Sequence, residues 1–497
     1  MSSQRLLLIT HDFPPDFSAG VPRLERFARN LPECGWQPFV LALQRDPSES
    51  DAVVPAADDF FRSIVVERCR AWTWGRSRAS STSPTEAAAP ASDQSNKQNL
   101  EQDESPVGSS GQLPLRRWLG NLKSLLLGTP DKGIYWVPPA VAAGKRMIRE
   151  HKLQAILTSG PPHSIHLAGR RLKQATGLPW IADFRDPWAR RPWGHKKFNP
   201  WGQRLFPRLE RICVAAADRV ILNTGAMADD FREFYPQWES KFLTIPNGCD
   251  AHLVSRIERL ISEVPERNDD RPLVLMHAGA LYRQRDPRPL IEAIGLLNRR
   301  GIAIRFEQIG PCSGDFRIPD FVRRQNCSEF VSFTPPVPRD EALRRMATAD
   351  FLLLIQPGTD IQIPGKLFEM IPFRKPILAI ADAGATADLV NQYQLGAVAE
   401  DHAPAAIAAV IEKQIQSRQQ SGAQLCWDKA IHDFDGRTLT AELAAALGAI
   451  VSGDDRHDAN SETHSAALAA DSHELYSFAG HAITPYPTND AGATLQT

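Results

Sequence analysis

The sequence predicts an α/β protein with two domains, each built on a parallel β-sheet with helices on both faces. Short apolar runs of strand length alternate with helical patterns, as expected for repeated strand–helix units. The alternation stops near Pro246 and starts again at Leu273, and 497 residues are enough for two or three cores. We therefore predict an N-terminal domain at 1–245 and a C-terminal domain at 246–450, with ligands in a cleft between them.

The elements of the N-terminal domain follow from the hydrophobic pattern. Continuous apolar runs are typical of strands buried on both faces, whereas helices repeat apolar residues every three or four positions. The predicted strands are 6–10, 38–43, 155–159, 180–183 and 220–223, and the predicted helices are 22–34, 141–151 and 164–176.

The same two patterns recur in the C-terminal domain. The densest apolar run, 351–355, has the length of a strand and is far shorter than the ~18 residues of a membrane-spanning helix. The predicted strands are 273–278, 303–309, 351–355 and 376–381, and the predicted helices are 287–299, 339–348 and one that begins at Gly365.

Two segments have a composition typical of disorder. Residues 77–112 contain no aromatic side chain, and residues 451–497 are rich in Ala, Ser, Asp and His. Such segments bury too little apolar surface to offset the entropy of ordering. We therefore predict a disordered insertion in the N-terminal domain and a disordered tail.

The overall composition excludes several classes of protein. A net charge of −1, from 57 Lys+Arg and 58 Asp+Glu, argues against a general nucleic-acid binder. The seven cysteines are scattered and lack a CxxC spacing, which indicates reduced thiols and no structural zinc. The start of the chain has no signal-peptide pattern. We expect a cytoplasmic protein without a metal.

Charged and imidazole side chains follow two strands of the N-terminal domain. Asp183, Arg185 and Asp186 lie in WIADFRDPW, at a strand end where catalytic groups are found in open sheets. An ion-paired corner is the alternative. His163 and His166 lie in SGPPHSIH, and a third metal ligand is not evident. His163 is expected to make loop or acceptor hydrogen bonds, and His166 to lie in the core or cap the helix.

A second group of candidates suits an anion. Gly20, before the first helix, would let backbone N–H groups approach a phosphate, although an ordinary turn is the alternative. In IPGKLFE, Lys366 lies at a helix N-terminus, and Glu369 follows about one turn later, within reach of a ribose diol. Arg283 or Arg285 would supply a second cation. A surface Lys–Glu pair is the alternative, and the absence of GxGxxG argues against a dinucleotide.

A basic, aromatic stretch runs from Arg185 to Arg211, with eight Lys/Arg against two acidic residues. Such a mixture suits an anionic membrane surface or an acidic acceptor. A second basic and apolar segment, 114–127, has helical spacing, and packing in the core is its alternative interpretation. Both segments predict peripheral contact with a membrane.

Six motifs together resemble the retaining GT-B glycosyltransferases, a superfamily that includes many bacterial polysaccharide and lipid-sugar transferases of the group 1 type, with a subfamily-4-like N-terminal domain. They are LLLITHDFPPDFSAGVPRLERFARNLPECGWQPFVLAL, DFRDPW, ADRVILNTGAMADDF, KFLTIPNGCD, HAGALYRQRDPRPLIEAI and IPGKLFEMIPFRKPILAI. The resemblance covers roughly 1–72 and 113–450. It implies two Rossmann-like domains that face each other across a cleft, with a last helix near 426–447 crossing back to the N-terminal domain.

The resemblance also implies roles for the donor-binding candidates. Lys366 and Arg285 would neutralise the diphosphate of a nucleotide sugar, and Glu369 would bind its ribose. Gly20 would lie against the diphosphate, and Asn247, in KFLTIPNGCD, belongs to the same predicted donor site.

Three positions depart from the pattern of the family. Ile361 stands where members commonly carry a glutamate, next to Asp360. Ala280 stands where an arginine usually follows the strand glycine, and Arg185 stands in place of a frequent histidine. We interpret this as a variant site.

The resemblance implies retaining transfer of a sugar from a nucleotide-diphosphate donor to a saccharide or lipid-linked acceptor in cell-surface polysaccharide synthesis. No cofactor or metal is expected, and the inner face of the plasma membrane is the expected place of action. A nucleotide-sugar 2-epimerase of the same fold and a non-catalytic nucleotide-sugar-binding protein are the alternatives.

Overall fold

The computed structural model describes residues 3–16, 18–45, 60, 63–72, 131–190, 200–265, 271–420 and 426–453. The predicted disordered insertion at 77–112, the predicted helix at 114–127 and the tail beyond residue 453 lie outside these ranges.

The first half of the chain forms a seven-stranded sheet in which every strand pair is parallel. The strand order is β3-β2-β1-β4-β5-β6-β7. The strands are β1 (Gln4–Thr10), β2 (Trp36–Leu43), β3 (Val65–Cys69), β4 (Ala155–Gly160), β5 (Trp180–Phe184), β6 (Arg219–Leu222) and β7 (Phe242–Thr244). The helices are α1 (Val21–Asn30), α2 (Val137–His151), α3 (Ile165–Thr176), α4 (Pro200–Ala216) and α5 (Gly225–Phe234).

The second half forms a six-stranded parallel sheet with the order β10-β9-β8-β11-β12-β13. Its strands are β8 (Leu273–Ala278), β9 (Ile304–Ile309), β10 (Val331–Thr334), β11 (Phe351–Gln356), β12 (Ile377–Ala381) and β13 (Gly396–Ala399). The helices are α6 (Ala251–Ser262), α7 (Arg288–Arg299), α8 (Ile318–Arg324), α9 (Arg339–Thr348), α10 (Gly365–Met370), α11 (Ala385–Gln392), α12 (Pro404–Gln420), α13 (Trp427–Asp433) and α14 (Gly436–Ser452). The predicted α/β class with two parallel sheets is confirmed.

Each sheet has a core on both faces, which explains the continuous apolar runs. In β1, Leu7 and Ile9 pack into one core and Leu6 and Leu8 into the other, and all four are fully buried. Since both faces are covered, no polar alternation remains in the inner strands. The strands that the apolar runs did not predict are the edge strands of the two sheets, β3, β7, β10 and β13, which are shorter or only partly buried.

The chain crosses between the halves twice, at neighbouring positions. The Cys249 N–H donates to the Phe434 carbonyl at 2.8 Å, and the Gly436 N–H donates to the Cys249 carbonyl at 2.9 Å. Before the second crossing, Trp427 of α13 packs into the core of the second sheet, and after it Leu443 of α14 packs into the core behind β1. The last helix therefore lies on the first half of the molecule.

Within the ranges given above, every helix is too short or too polar to span a bilayer.

Candidate active site

The C-terminal edges of the two sheets face each other. The Thr224 hydroxyl, after β6, donates to the Ile361 carbonyl at 2.5 Å. The Gln362 amide, in the loop after β11, donates to Asp186 Oδ1, after β5, at 2.6 Å. Ligands of open parallel sheets bind at this edge of the strands. The facing edges therefore form a cleft, and Asp186 and Ile361 both lie on its walls.

Lys366 lies at the end of β8, where the sequence placed a phosphate ligand. Helix α10 begins one residue earlier, and Lys366 Nζ donates to the Ala278 carbonyl at 2.8 Å. The ammonium passes directly over Gly279, because a Cβ built there would lie 1.4 Å from Nζ. Gly279 also has φ +151°, which disfavours any other residue. Glycine at this position is thus required for the position of the ammonium.

Arg285 brings a second cation to the same edge. Its Nη2 donates to Gln356 Oε1 at the end of β11, the neighbour of β8, at 2.6 Å. Burial and the nearby Arg285 lower the pKa of Lys366 to about 8, against the opposing effect of Glu369. Among the described residues, no carboxylate lies within ion-pair distance of Lys366 or Arg285. These two cations are therefore not ion-paired within the part of the chain that the structure describes.

A buried histidine, His277, lies beneath this edge, and no sequence pattern predicts it. Gln308 Nε2 donates to the Gly279 carbonyl at 2.6 Å, so its Oε1, 2.7 Å from His277 Nδ1, accepts a hydrogen bond from the ring N–H. Burial and the charge of Lys366 lower the pKa of His277 to about 3. His277 is thus neutral at physiological pH and adds no charge.

The other donor-binding candidates lie around the same helix. Asn247 Nδ2 is 3.6 Å from the position that a Cβ would take at Gly365, where α10 begins. The Glu369 side chain is 40% exposed, and its nearest cation is Arg339, 3.9 Å away. Arg283 is exposed, with φ 56°, in the loop after β8. The structure brings Asn247, Lys366 and Glu369 to one helix, with Arg283 and Arg285 on the adjacent loop.

Asp183 forms a buried ion pair. Arg23 donates from Nη2 to Asp183 Oδ1 at 2.8 Å and from Nε to Oδ2 at 3.1 Å, and Ser159 adds a third bond at 2.6 Å. Burial by itself raises the pKa of Asp183, but Arg23 and Ser159 outweigh it and hold the pKa below its ordinary value. Arg23 also donates to the carbonyls of Ile245 and Pro246, both at 2.8 Å.

This geometry corrects the prediction for Asp183, because its side chain is fully buried and does not reach the cleft. The alternative of an ion-paired corner is closer to the structure, but the partner is Arg23, from α1. Through Arg23, Asp183 anchors the segment that leaves the first sheet, which is a positioning role.

Arg185 and Gly20 lie against each other. Arg185 Nε donates to the Gly160 carbonyl at 3.1 Å, and Nη2 donates to the Pro161 carbonyl at 2.5 Å. A Cβ at Gly20 would lie 1.2 Å from Arg185 Nη1. Gly20 is the N-cap of α1, as predicted, and the close approach that its lack of a side chain permits is that of the Arg185 guanidinium.

His163, for which loop or acceptor hydrogen bonds were the predicted alternatives, is enclosed in the structure. Its ring is 1% exposed and stacks on Trp188, with ring centroids 5.4 Å apart and planes inclined by 10°. His166 is fully buried, with Nδ1 2.9 Å from Thr158 Oγ1, and burial lowers its pKa to about 3. His166 is therefore a neutral core histidine. Over the described parts of the chain, no cluster of His, Cys, Asp and Glu suited to a metal is found.

Glu210 organises the loop after β5, and the sequence offered no signal for it. It is fully buried and accepts from the backbone N–H of Ala189 at 2.9 Å, from Arg190 at 2.7 Å and from the Tyr235 hydroxyl at 2.8 Å. Three separate segments of the chain, at 189–190, 210 and 235, meet here, so this arrangement forms only in the tertiary fold.

The basic, aromatic stretch at 185–211 is only partly a surface. Trp188 is fully buried and Phe206 is 5% exposed, so both belong to the core. Arg190 is paired with Glu210 and Asp230. Residues 191–199, which include Trp193 and Phe198 of this stretch, lie outside the described ranges. For Trp188 and Phe206 the prediction of membrane contact is wrong.

Residues 19–248 match the family described as "Glycosyl transferase 4-like domain". The fold is similar to that of a glycosyltransferase from Rickettsia africae ESF-5, with 11% identity and a TM-score of 0.57 over 91% of this chain and 100% of the other. It is similar to Anabaena Alr3699/HepE in complex with UDP-glucose, with 16% identity and a TM-score of 0.56 over 90% and 99% of the two chains. It is also similar to WaaG, a glycosyltransferase involved in lipopolysaccharide biosynthesis, with 15% identity and a TM-score of 0.52 over 89% and 99%.

At these identities the structural similarity establishes the fold. No curated protein sequence matches the chain.

Proposed function

We propose that this chain, which has the GT-B glycosyltransferase fold and a glycosyl transferase 4-like domain, transfers a sugar from a nucleotide-diphosphate donor to an acceptor hydroxyl with retention of configuration. The acceptor is a saccharide or a lipid-linked saccharide of cell-surface polysaccharide synthesis. WaaG, by its name a lipopolysaccharide enzyme, supports this acceptor class.

One observation carries the proposal: the paired cations Lys366 and Arg285 at the ends of neighbouring strands, without a carboxylate partner in the described structure. Holding two unmatched cations close together is unfavourable unless an anion binds between them. Lys366 is only partly exposed, so a bound phosphate would be largely desolvated and strongly attracted. A diphosphate supplies enough charge for both groups.

The remaining donor contacts follow from the same helix. Glu369, more than a third exposed and one turn after Lys366, suits the ribose hydroxyls, and Asn247 approaches the start of the helix. Arg283 is placed to bind the outer part of the diphosphate or the base. Gly20 lies on the opposite wall, beside Arg185, and would face the diphosphate from there.

The chemistry follows from where charge develops. As the bond between the sugar and the diphosphate breaks, negative charge builds on the leaving phosphate, and Lys366 and Arg285 stabilise it. Arg185 and Asp186 lie on the other wall and would contact the transferred sugar or the acceptor. The leaving phosphate itself takes the acceptor proton, which accounts for retention without a dedicated base. No metal is needed for this step, and closure of the cleft excludes water.

Cytoplasmic action at the inner face of the plasma membrane remains part of the proposal. With Trp188 and Phe206 in the core, membrane contact depends on segments 114–127 and 191–199. Binding of the full chain to anionic vesicles at low salt tests it, and loss of binding at high salt is expected.

Calorimetric titration with UDP, GDP and ADP tests the donor site, and UDP comes first because HepE binds it. Lys366→Met is expected to weaken binding about 10- to 100-fold, the loss of a charge-assisted hydrogen bond. Lys375→Met is the matched control, since Lys375 also donates to a backbone carbonyl, that of Ala349 between α9 and β11, at the opposite edge of the same sheet. Equal affinities of the two variants for every nucleotide would overturn the proposal.

Turnover tests the second half of the proposal. Wild-type protein with a nucleotide sugar and an acceptor panel is expected to release nucleoside diphosphate and to form a glycoside whose anomeric configuration, read by NMR coupling constants, equals that of the donor. An inverted product would contradict retention. Epimerised nucleotide sugar in the absence of any acceptor would identify an epimerase instead.

A further inference from the structure

The C-terminal end of β1 carries a histidine that the proposed donor site does not use. His11 follows Thr10, the last residue of the strand, and its carbonyl accepts from the Leu43 N–H of the neighbouring strand at 3.2 Å. The side chain is 23% exposed. His11 therefore lies at the same edge of the first sheet as Asp186 and Thr224.

Asp12 fixes the orientation of the His11 ring. The distance from His11 Nδ1 to Asp12 Oδ1 is 3.1 Å, and the same oxygen accepts from Arg45 Nη2. Burial raises the pKa of Asp12, but His11 and Arg45 outweigh it and hold the pKa well below its usual range. An ionised carboxylate only accepts hydrogen bonds, so the proton of the neutral ring is assigned to Nδ1. The lone pair is then on Nε2.

A tryptophan holds the ring from the other side. Trp136 is 1% exposed and meets the His11 ring edge to face, with centroids 6.1 Å apart and planes at 82°. Trp136 is itself fixed by a bond from Nε1 to the Cys69 carbonyl at 2.9 Å. Nε2 of His11 bonds to none of the residues that the structure describes. The ring is thus an oriented hydrogen-bond acceptor.

The charges around His11 are balanced. Asp12 is paired with Arg45, and Asp16 is paired with Arg68 at 2.9 Å. Each arginine already has a carboxylate, so an added phosphate would gain little here and would meet two carboxylates. The surface around the ring therefore suits an uncharged ligand.

An exposed aromatic side chain belongs to the segment that bonds to the residue before Trp136. Trp72 is 64% exposed, and its backbone N–H donates to the carbonyl of Tyr135, the residue before Trp136, at 3.1 Å. The combination of an exposed indole and a fixed hydrogen-bond acceptor suits a sugar ring, which has an apolar face and hydroxyl groups at its rim.

We propose that His11 is an acceptor-binding residue. Its Nε2 accepts a hydrogen bond from a hydroxyl group of an uncharged sugar ring that lies on Trp72. The inference rests on the proposed glycosyl transfer and specifies its acceptor: the sugar next to the reaction centre carries no phosphate or carboxylate. Asp12 and Arg45 are positioning residues, since they act through His11.

Saturation-transfer NMR on the full chain tests the proposal directly. The probes are the methyl glycosides of glucose, galactose, mannose and N-acetylglucosamine, each alone. At least one is expected to bind the wild type, and His11→Ala and Trp72→Ala are expected to reduce its saturation transfer at least fivefold. His252→Ala is the matched control, because His252 is exposed on α6, and it is expected to leave the signal unchanged.

Two further measurements separate the possible failures. UDP affinity, measured by calorimetry, is expected to be the same in His11→Ala as in the wild type, which also shows that the variant is folded. Nitrogen-15 NMR is expected to show the His11 proton on Nδ1. Absence of binding by every glycoside, or unchanged glycoside binding by His11→Ala, would overturn the inference. A wild type that binds glycosides but no nucleotide would overturn the proposed donor site instead.

Discussion

The two facing edges of the molecule differ in how their charges are compensated. At the edge of the first sheet, three carboxylates are each paired with an arginine: Asp183 with Arg23, Asp12 with Arg45 and Asp16 with Arg68, while Arg185 donates to the carbonyls of Gly160 and Pro161. At the edge of the second sheet, Lys366 and Arg285 donate only to oxygens of a backbone carbonyl and an amide among the described residues.

This difference separates structure from ligand binding. An ion pair at an edge holds its loops in place and attracts a charged ligand only weakly. Cations without a carboxylate partner attract an anionic ligand strongly. We therefore expect disruption of the first edge to affect stability, and disruption of the second to affect nucleotide binding.

The largest change in stability is expected at the first edge. Asp183→Asn leaves the Arg23 cation buried without its carboxylate and is expected to lower the free energy of unfolding by about 3–5 kcal/mol. Glu25→Gln is the matched control, because Glu25 pairs with Arg29 on the surface of the same helix and should contribute about 0–1 kcal/mol. Urea unfolding measures both, and equal losses would show that the buried pair has no special role.

At the second edge, a substitution is expected to raise the stability of the unliganded protein. Lys366→Met removes a largely enclosed ammonium that has no acidic partner, so the unliganded protein should gain about 1–2 kcal/mol of stability while it loses nucleotide binding. Thermal unfolding without ligand measures the gain, and Lys375→Met should show no comparable increase. A lower melting temperature for Lys366→Met would contradict the account of an unmatched charge.

Stability and UDP affinity should also change in opposite directions as the pH rises above 8. The pKa of Lys366 is lowered from 10.5 to about 8, so above pH 8 the folded protein loses this proton before the unfolded chain does. Between about pH 8 and 10.5 this group makes stability rise with pH. UDP affinity should fall by up to about tenfold per pH unit above 8, because the ammonium is neutralised. Calorimetry at pH 7, 8 and 9 measures the UDP affinity. In Lys366→Met this affinity should no longer fall with pH. A UDP affinity that stays constant over this range would contradict it.

The smallest change in stability is expected for a substitution of Gly20. Gly20→Ala places a methyl group on Arg185 Nη1, and the displaced side chain loses its bonds to the Gly160 and Pro161 carbonyls, at a cost of about 1 kcal/mol. Arg185→Ala removes the same bonds, so the double variant should be no less stable than either single one. Gly225→Ala, at the start of α5 with open space around it, is the control. Additive losses would mean that the two residues act independently.

The sequence predicted the inner strands because they are buried on both faces and read as apolar runs. The edge strands were not predicted, since a strand such as Val65–Cys69 is only partly buried and carries charged residues. Lys366 and Arg285 were placed at the correct edge because strand ends and helix starts are local features.

The matched edge was not predicted, for a physical reason. The partners of Asp183 and Glu210 come from distant parts of the chain, and no local pattern encodes such a pair. For His163 the sequence left loop and acceptor hydrogen bonds as alternatives, and the packing of Trp188 over its ring could not be predicted because it depends on the tertiary fold. His11 was overlooked because its partner is simply the next residue, a spacing that carries no known motif.

One pair of titrations tests most directly whether the second edge binds the nucleotide and the first edge binds the glycoside. UDP and the methyl glycoside that binds the wild type are each titrated into Lys366→Met and His11→Ala. The account predicts that Lys366→Met loses UDP and keeps the glycoside, and that His11→Ala loses the glycoside and keeps UDP. A variant that loses both ligands, or neither, would contradict it.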